Sequence, residues 1–215
     1  MTEPVAAGDD APDGERGALS LGEAAVRHGA FRWVEQRLFE LTGAWAAAPG
    51  LPDGARVFCF EQSAAHAWHA ELWEARLPVL AGVDRDQLTR PVGVVVDPML
   101  AGLAPHRPGG DEAVAGSRFL VSLARVVLPL LLVSYRRFGA RLVPVADGPA
   151  IRALRHVISD EEEELCAAEA LLDGLVGDPQ SAQQAAEWTQ AVRGPVGHGT
   201  DGEDLLPWSE ADPAC

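Results

Sequence analysis

Four stretches of this chain repeat apolar residues at the helical period, and the breaks between them run short, long, short. No other feature of the sequence limits the fold as much. The first helix is predicted from Ser20, a residue suited to cap a helix N-terminus, to about Ala48, where Pro49, Gly50 and Pro52 stop it. The second runs from about Asp53 to Leu77, before Pro78. The third covers about Asp111 to Arg141. The fourth runs from Asp147, or from Pro149 as a first-turn residue, to Gly174. Roughly five residues join the first pair and six the last pair, lengths that make antiparallel neighbours. The second and third are separated by residues 78–110, rich in Pro and Gly. That is too long for a hairpin and suits a connection running the length of a bundle. Within it, VGVVVDPML at 92–100 fits either a short strand or a helical turn. The expected fold is all-α, a four-helix bundle with a long crossover between its second and third helices.

Charge separates this body from its ends. The formal net charge is -15, from 32 acidic and 17 basic residues, and every basic residue is Arg. The lack of lysine fits the codon bias of a high-GC bacterial genome. Residues 1–18 hold five acids and one Arg, and residues 174–215 hold seven acids and one Arg. The expectation is a disordered acidic tail over 1–18, a helical bundle over 19–176 and a largely disordered acidic tail over 177–215. Trp188 and Trp208 fall in the last segment, where Glu187 to Val192 fits a short peripheral helix. The acidic balance argues against DNA, whose phosphates need a basic face.

The run FLVSLARVVLPLLLVSY at 119–135 invites a membrane reading. It contains Arg125 and Pro129 and is flanked by Arg118, Arg136 and Arg137, so a buried helix explains it better. The N-terminus lacks the basic and apolar regions of a signal peptide. Cys59, Cys166 and Cys215 show no metal-binding spacing. A cytoplasmic protein with reduced thiols is expected.

An α-helix turns 100° per residue, so the apolar face of each helix can be located. On the first it holds Phe31, Val34, Leu38, Leu41 and Trp45, with Glu35 at its margin. On the second it holds Phe58, Ala65, Trp68, Leu72 and Trp73; His69 lies near its centre, with Glu61, Gln62 and His66 inside the arc and Ser63 outside. On the third, Leu120, Leu123, Val127, Leu131 and Phe138 face inward with Tyr135 nearby, while Ser122, Arg125, Pro129 and Arg136 face out. Pro129 should kink this helix. On the fourth, Glu161 falls at the centre of the stripe, Glu164 about 70° away and Asp160 about 100° away, and Glu162 and Glu163 point to solvent. Burying a carboxylate without a partner costs several kcal/mol or raises its pKa. Glu161 therefore needs a partner among the histidines, Glu35 and Tyr135.

WVEQRLFE on the first helix, HAWHAELW on the second and RALRHVISDEEEELCAAEALL on the fourth resemble the ferritin-like superfamily. They are similar to its actinobacterial members of unassigned function, and to relatives in the tRNA hydroxylase branch. The resemblance implies a diiron centre in which two helices each give one Glu and two each give Glu-x-x-His. Here Glu35 matches the first carboxylate. Ser63 precedes His66 at the Glu position, leaving His66-x-x-His69 as the other reading. The third helix offers no inward carboxylate, and Glu164 stands where the fourth helix would carry His.

Two readings follow. One is a bundle whose diiron site has degenerated, serving a structural, interaction or small-molecule-binding role with at most weak metal affinity. The other is a non-haem iron oxygenase or hydroxylase with an altered ligand set, acting on a small molecule or, less favoured, on tRNA. Its iron ligands would be Glu35, His66, His69 and Glu161, with Glu61 and Glu164 as weaker candidates and Tyr135 as a donor behind them. The partner classes are a small molecule or a protein, a second copy included.

Overall fold

The computed structural model describes residues 18–79, 84–105, 111–197 and 204–206. Among these there are helices and no strands. Helix α1 spans Leu21–Ala47 and α2 spans Asp53–Glu74. Ser20 caps α1: its hydroxyl accepts the Glu23 N–H at 3.2 Å, and Glu23 Oε2 accepts the Ser20 N–H at 2.7 Å. The two helices pack along their length after the break at Leu51–Pro52.

The long crossover contains two short helices, α3 (Arg85–Leu88) and α4 (Val96–Gly102). The second makes the later part of VGVVVDPML helical, from Val96 on, while residues 92–95 before it are bends. Helix α3 lies directly on α1 at Gly29, where a Cβ would stand 2.0 Å from the Leu88 carbonyl oxygen. Only glycine permits that approach.

The third rod is continuous but not uniform. It consists of α5 (Glu112–Ser122), a π-helical turn (Leu123–Val127) and α6 (Leu128–Gly139). Pro129 has no N–H and its ring opposes a normal i−4 carbonyl. The wider turn just before it, in which the Leu128 N–H reaches the Leu123 carbonyl, absorbs the distortion expected as a kink. This rod is long and apolar enough to cross a membrane, yet 72% of its most apolar window is buried against the rest of the protein.

Helix α7 spans Pro144–Leu175 and starts earlier than expected. Asp147 leaves helical geometry at φ -105°, ψ 16°, and its side chain accepts the Val143 N–H at 2.7 Å. Pro149 then opens the long straight part, in keeping with its first-turn role. Helix α7 packs against α6 and α2.

The C-terminal segment departs from expectation. Residues 177–215 read as largely disordered from composition, but Pro179–Gly197 forms helix α8, packed on α5 and the π-turn. Trp188 drives this: its indole N–H reaches the Ser122 hydroxyl at 2.8 Å, and the Arg118 guanidinium lies 4.7 Å from its ring centre. Ser122, assigned to an outward face, is consequently buried. The N-terminal tail (1–17), Trp208 and Cys215 lie outside the described residues. Cys59 is a buried free thiol and Cys166 an exposed one.

Candidate metal centre

Helices α1, α2 and α7 converge on four polar side chains inside the apolar core. Glu35, His66, His69 and Glu161 are each 0% exposed. One donor atom from each lies within 4.8 Å of the other three. The sequence pattern picked these four residues. It did less well with their neighbours.

The geometry of the donors is regular. His66 Nδ1 lies 2.7 Å from Glu35 Oε2 and 3.5 Å from Glu161 Oε1. His69 Nδ1 lies 3.5 Å from each of the same two oxygens. Ligands held about 2.1 Å from a common metal at tetrahedral angles stand about 3.4 Å apart. Three of these four spacings already match, and the fourth, the hydrogen-bonded pair of His66 and Glu35, needs to open by about 0.7 Å.

Carboxylates stand behind both histidines. His69 Nε2 lies 3.1 Å from Asp160 Oδ2, so Nε2 carries the proton and donates it. The Nδ1 of a neutral His69 is then a bare lone pair facing two carboxylates. It has no hydrogen-bond partner, nor has either oxygen of Glu161. His66 Nε2 is likewise unpartnered and lies 3.9 Å from Glu164 Oε2. A carboxylate behind an imidazole fixes its tautomer and aims its other nitrogen at a metal. Asp160→Asn is therefore expected to weaken metal binding about 10- to 100-fold, while leaving the helical circular-dichroism spectrum unchanged. A titration with Co(II), followed by its absorption bands, measures this.

Electrostatics make the same demand for positive charge. Burial opposes a charged His66, but Glu164, Glu35 and Glu161 outweigh it and push its pKa up to about 9. Burial likewise opposes a charged His69, and Glu35 and Glu161 carry it up to about 11. Burial would raise Glu35, yet the two histidines hold it down at about 2. Glu161 is raised by burial and by Glu35. Burial pushes Glu164 up to about 8 against the pull of His66. Without a metal, protons on the imidazoles must supply the charge that balances these carboxylates.

Tyr135 closes the site from α6. Its hydroxyl donates a short hydrogen bond to Glu35 Oε1, the oxygen turned away from the cluster. Its ring packs against Phe31 at 4.6 Å and stacks on Trp73 at 5.7 Å and 15°. This is the position expected of a donor behind a ligand.

Glu61 is exposed and takes no part in the cluster, contrary to its place in the predicted apolar arc. The reason is a phase error of about 80° on α2. A large apolar residue on the surface, Trp68 at 44% exposure, pulled the predicted face toward itself. Ser63, placed outward, is instead buried and donates to the Phe39 carbonyl at 3.0 Å. Trp68 lies against the rings of His69 at 5.7 Å and His156 at 6.1 Å, covering the side of the site that Asp160 reaches. Glu164 is buried beside Gln62; with the amide nitrogen turned toward it, Gln62 donates to Glu164 Oε1 at 3.1 Å.

The pattern missed Asp160. Its place about 100° from the centre of the α7 stripe reads as solvated. Its side chain is 39% exposed and still reaches the back of His69. The available signal was chemical: an inward-facing histidine calls for an acceptor on its far nitrogen.

Comparison with known proteins adds nothing to this site, because no family model, curated protein or solved structure matches the chain.

Proposed function

We propose that this protein is a ferritin-like helical bundle that holds one divalent transition-metal ion, iron first among the candidates, between Glu35, His66, His69 and Glu161. One observation carries the reading. Four fully buried donor atoms face one another, and His69 Nδ1 and both oxygens of Glu161 have no hydrogen-bond partner. Buried polar atoms are normally satisfied, and a cation at the centre would satisfy His69 Nδ1 and Glu161 Oε1 at once. The short, long, short order of connections supports the ferritin-like assignment. The ligand set is that of an altered mononuclear centre, since α6 contributes Tyr135 in place of a carboxylate.

Of the two readings of the sequence, a vestigial site and an altered working site, the spacing of the donors favours the second. Two imidazoles and two carboxylates suit Fe(II), and also Zn(II) or Co(II). Bound iron would supply Lewis-acid and one-electron chemistry. The chain's own part is to hold the ligands on rigid helices, fix the tautomer of His69 through Asp160, and set Glu35 through Tyr135. Because every ligand is fully buried, the chemistry is restricted to protons, water and molecules as small as dioxygen unless the helices part.

Metal analysis of the full chain tests this. Protein expressed in iron-supplemented medium and desalted is expected to retain about one metal ion per chain. Retention of none, together with failure to take up Co(II) or Zn(II), would refute the assignment.

A further inference from the structure

Residues 204–206 are buried against helices distant from them in sequence. Asp204 is 1% exposed, and Leu205 and Leu206 are 0% exposed. They sit where α1 and α6 meet, and their contacts are specific. Asp204 Oδ1 accepts a short hydrogen bond from the Ser134 hydroxyl, and Asp204 Oδ2 lies 3.5 Å from Arg137 Nη1. The Leu206 N–H donates to Ser134 Oγ at 3.1 Å, and the Leu206 carbonyl accepts from Arg27 Nη1 at 2.6 Å. The Leu205 N–H points at the Leu130 carbonyl at 3.4 Å. Both leucines join the main apolar core.

These contacts read the backbone of a short non-helical segment, one acidic side chain and two adjacent leucines. That is how a protein surface recognises a peptide, with main-chain hydrogen bonds for affinity and side-chain pockets for specificity. The segment is connected to α8 only through HGTDGE at 198–203, which contains two glycines. None of the three residues belongs to a helix, so their release need not unfold one.

We propose that the seam between α1 and α6 is a peptide-docking site for an Asp-Leu-Leu segment, and that residues 204–206 of this chain are its exchangeable resident ligand. Arg27, Leu130, Ser134 and Arg137 form the receptor side. The partner is a peptide with an acidic residue before two leucines. This site is separate from the metal centre, and its test does not depend on metal.

The full chain carrying Leu205→Ala and Leu206→Ala leaves the receptor side intact and weakens its resident ligand. A fluorescently labelled peptide of residues 200–210 is expected to bind this variant saturably and 1:1 by anisotropy. The wild-type chain should bind it about tenfold more weakly, because its own segment occupies the site for most of the time. Asp204→Asn in the peptide, or Ser134→Ala added to the variant, should each weaken binding. Equal binding by wild type and variant, or no saturable binding by a variant with the wild-type helical spectrum, would overturn the proposal. Hydrogen exchange on the wild-type chain gives a second reading that needs no variant. The amides of Leu205 and Leu206 are expected to exchange about a hundredfold faster than that of Leu131 in the core. Exchange of all three at one rate, through global unfolding alone, would overturn it as well.

Discussion

Glu161→Ala is expected to strip the chain of metal and to lower its unfolding free energy by about 3–5 kcal/mol, the usual cost of breaking a buried charge cluster by removing one member. The side chain is fully buried, and Oε1 lies 3.5 Å from the Nδ1 atoms of both His66 and His69. Removing it leaves two imidazoles with only Glu35 to share between them at the centre. Glu161→Gln keeps the shape and removes the charge, so it should lose metal but cost less stability. The neighbours on the same helix set the scale. Glu162 forms an exposed pair with Arg136 at 2.6 Å, and Glu162→Ala should cost no more than about 1 kcal/mol. Glu163→Ala, on the exposed side, should stay within about 0.5 kcal/mol. Denaturant melts of the four variants, with metal content measured on the same samples, decide the matter. Small and equal effects at positions 161, 162 and 163 would mean that Glu161 is not part of a charged cluster.

The contrast between these adjacent glutamates was legible in the sequence because α7 is a regular amphipathic helix beyond Pro149. Leu154, Val157, Ala168 and Leu172 are all buried, and they fix its phase. The same arithmetic went astray on α2. There Trp68 spends much of its apolar surface on the exterior, and a count of hydrophobic residues cannot tell a lid over a polar site from a core side chain. His69 survived the error because it lies between the predicted face and the true one, and His66 because it sits near the centre of the true face and still within the predicted arc, whereas Glu61 and Ser63 exchanged roles. Helix α8 was hidden for another reason. Its composition is polar and rich in Ala and Gln, and it docks through a thin stripe of Ala185, Trp188, Val192 and Val196, with Trp188 meeting Ser122 on a face that looked outward. The Asp-Leu-Leu segment was hidden too. A pair of leucines in an acidic stretch has no periodicity, and its burial depends entirely on tertiary contacts with Ser134 and Arg27.

The metal-free and metal-loaded forms should respond to pH in different ways. In the metal-free fold His66 titrates at about 9, His69 at about 11 and Glu164 at about 8, all above their ordinary values of 6.5, 6.5 and 4.5. Each group holds its proton more tightly folded than unfolded. Its contribution to stability is complete below the ordinary value and is lost as pH rises through the folded one. Glu35 behaves in the opposite sense. Its pKa falls from 4.5 to about 2, so its contribution is present above 4.5 and lost as pH falls toward 2. The chelated protein should thus be most stable near pH 4.5, lose the share of Glu164 from there toward pH 8, and melt at progressively lower temperature as His66 and His69 follow between pH 6.5 and 11. A divalent ion competes with the protons on His66 and His69 for the same lone pairs, so its affinity rises as they leave. Because a ligand stabilises according to its concentration relative to Kd, the melting temperature of Zn(II)-loaded protein should exceed that of chelated protein by a margin that widens from pH 5 through 7 to 9. Thermal melts at those three values, with and without chelator, measure the margin. A constant margin, or a chelated protein most stable at pH 9, would mean that the cluster of Glu35, His66, His69 and Glu161 needs no added positive charge.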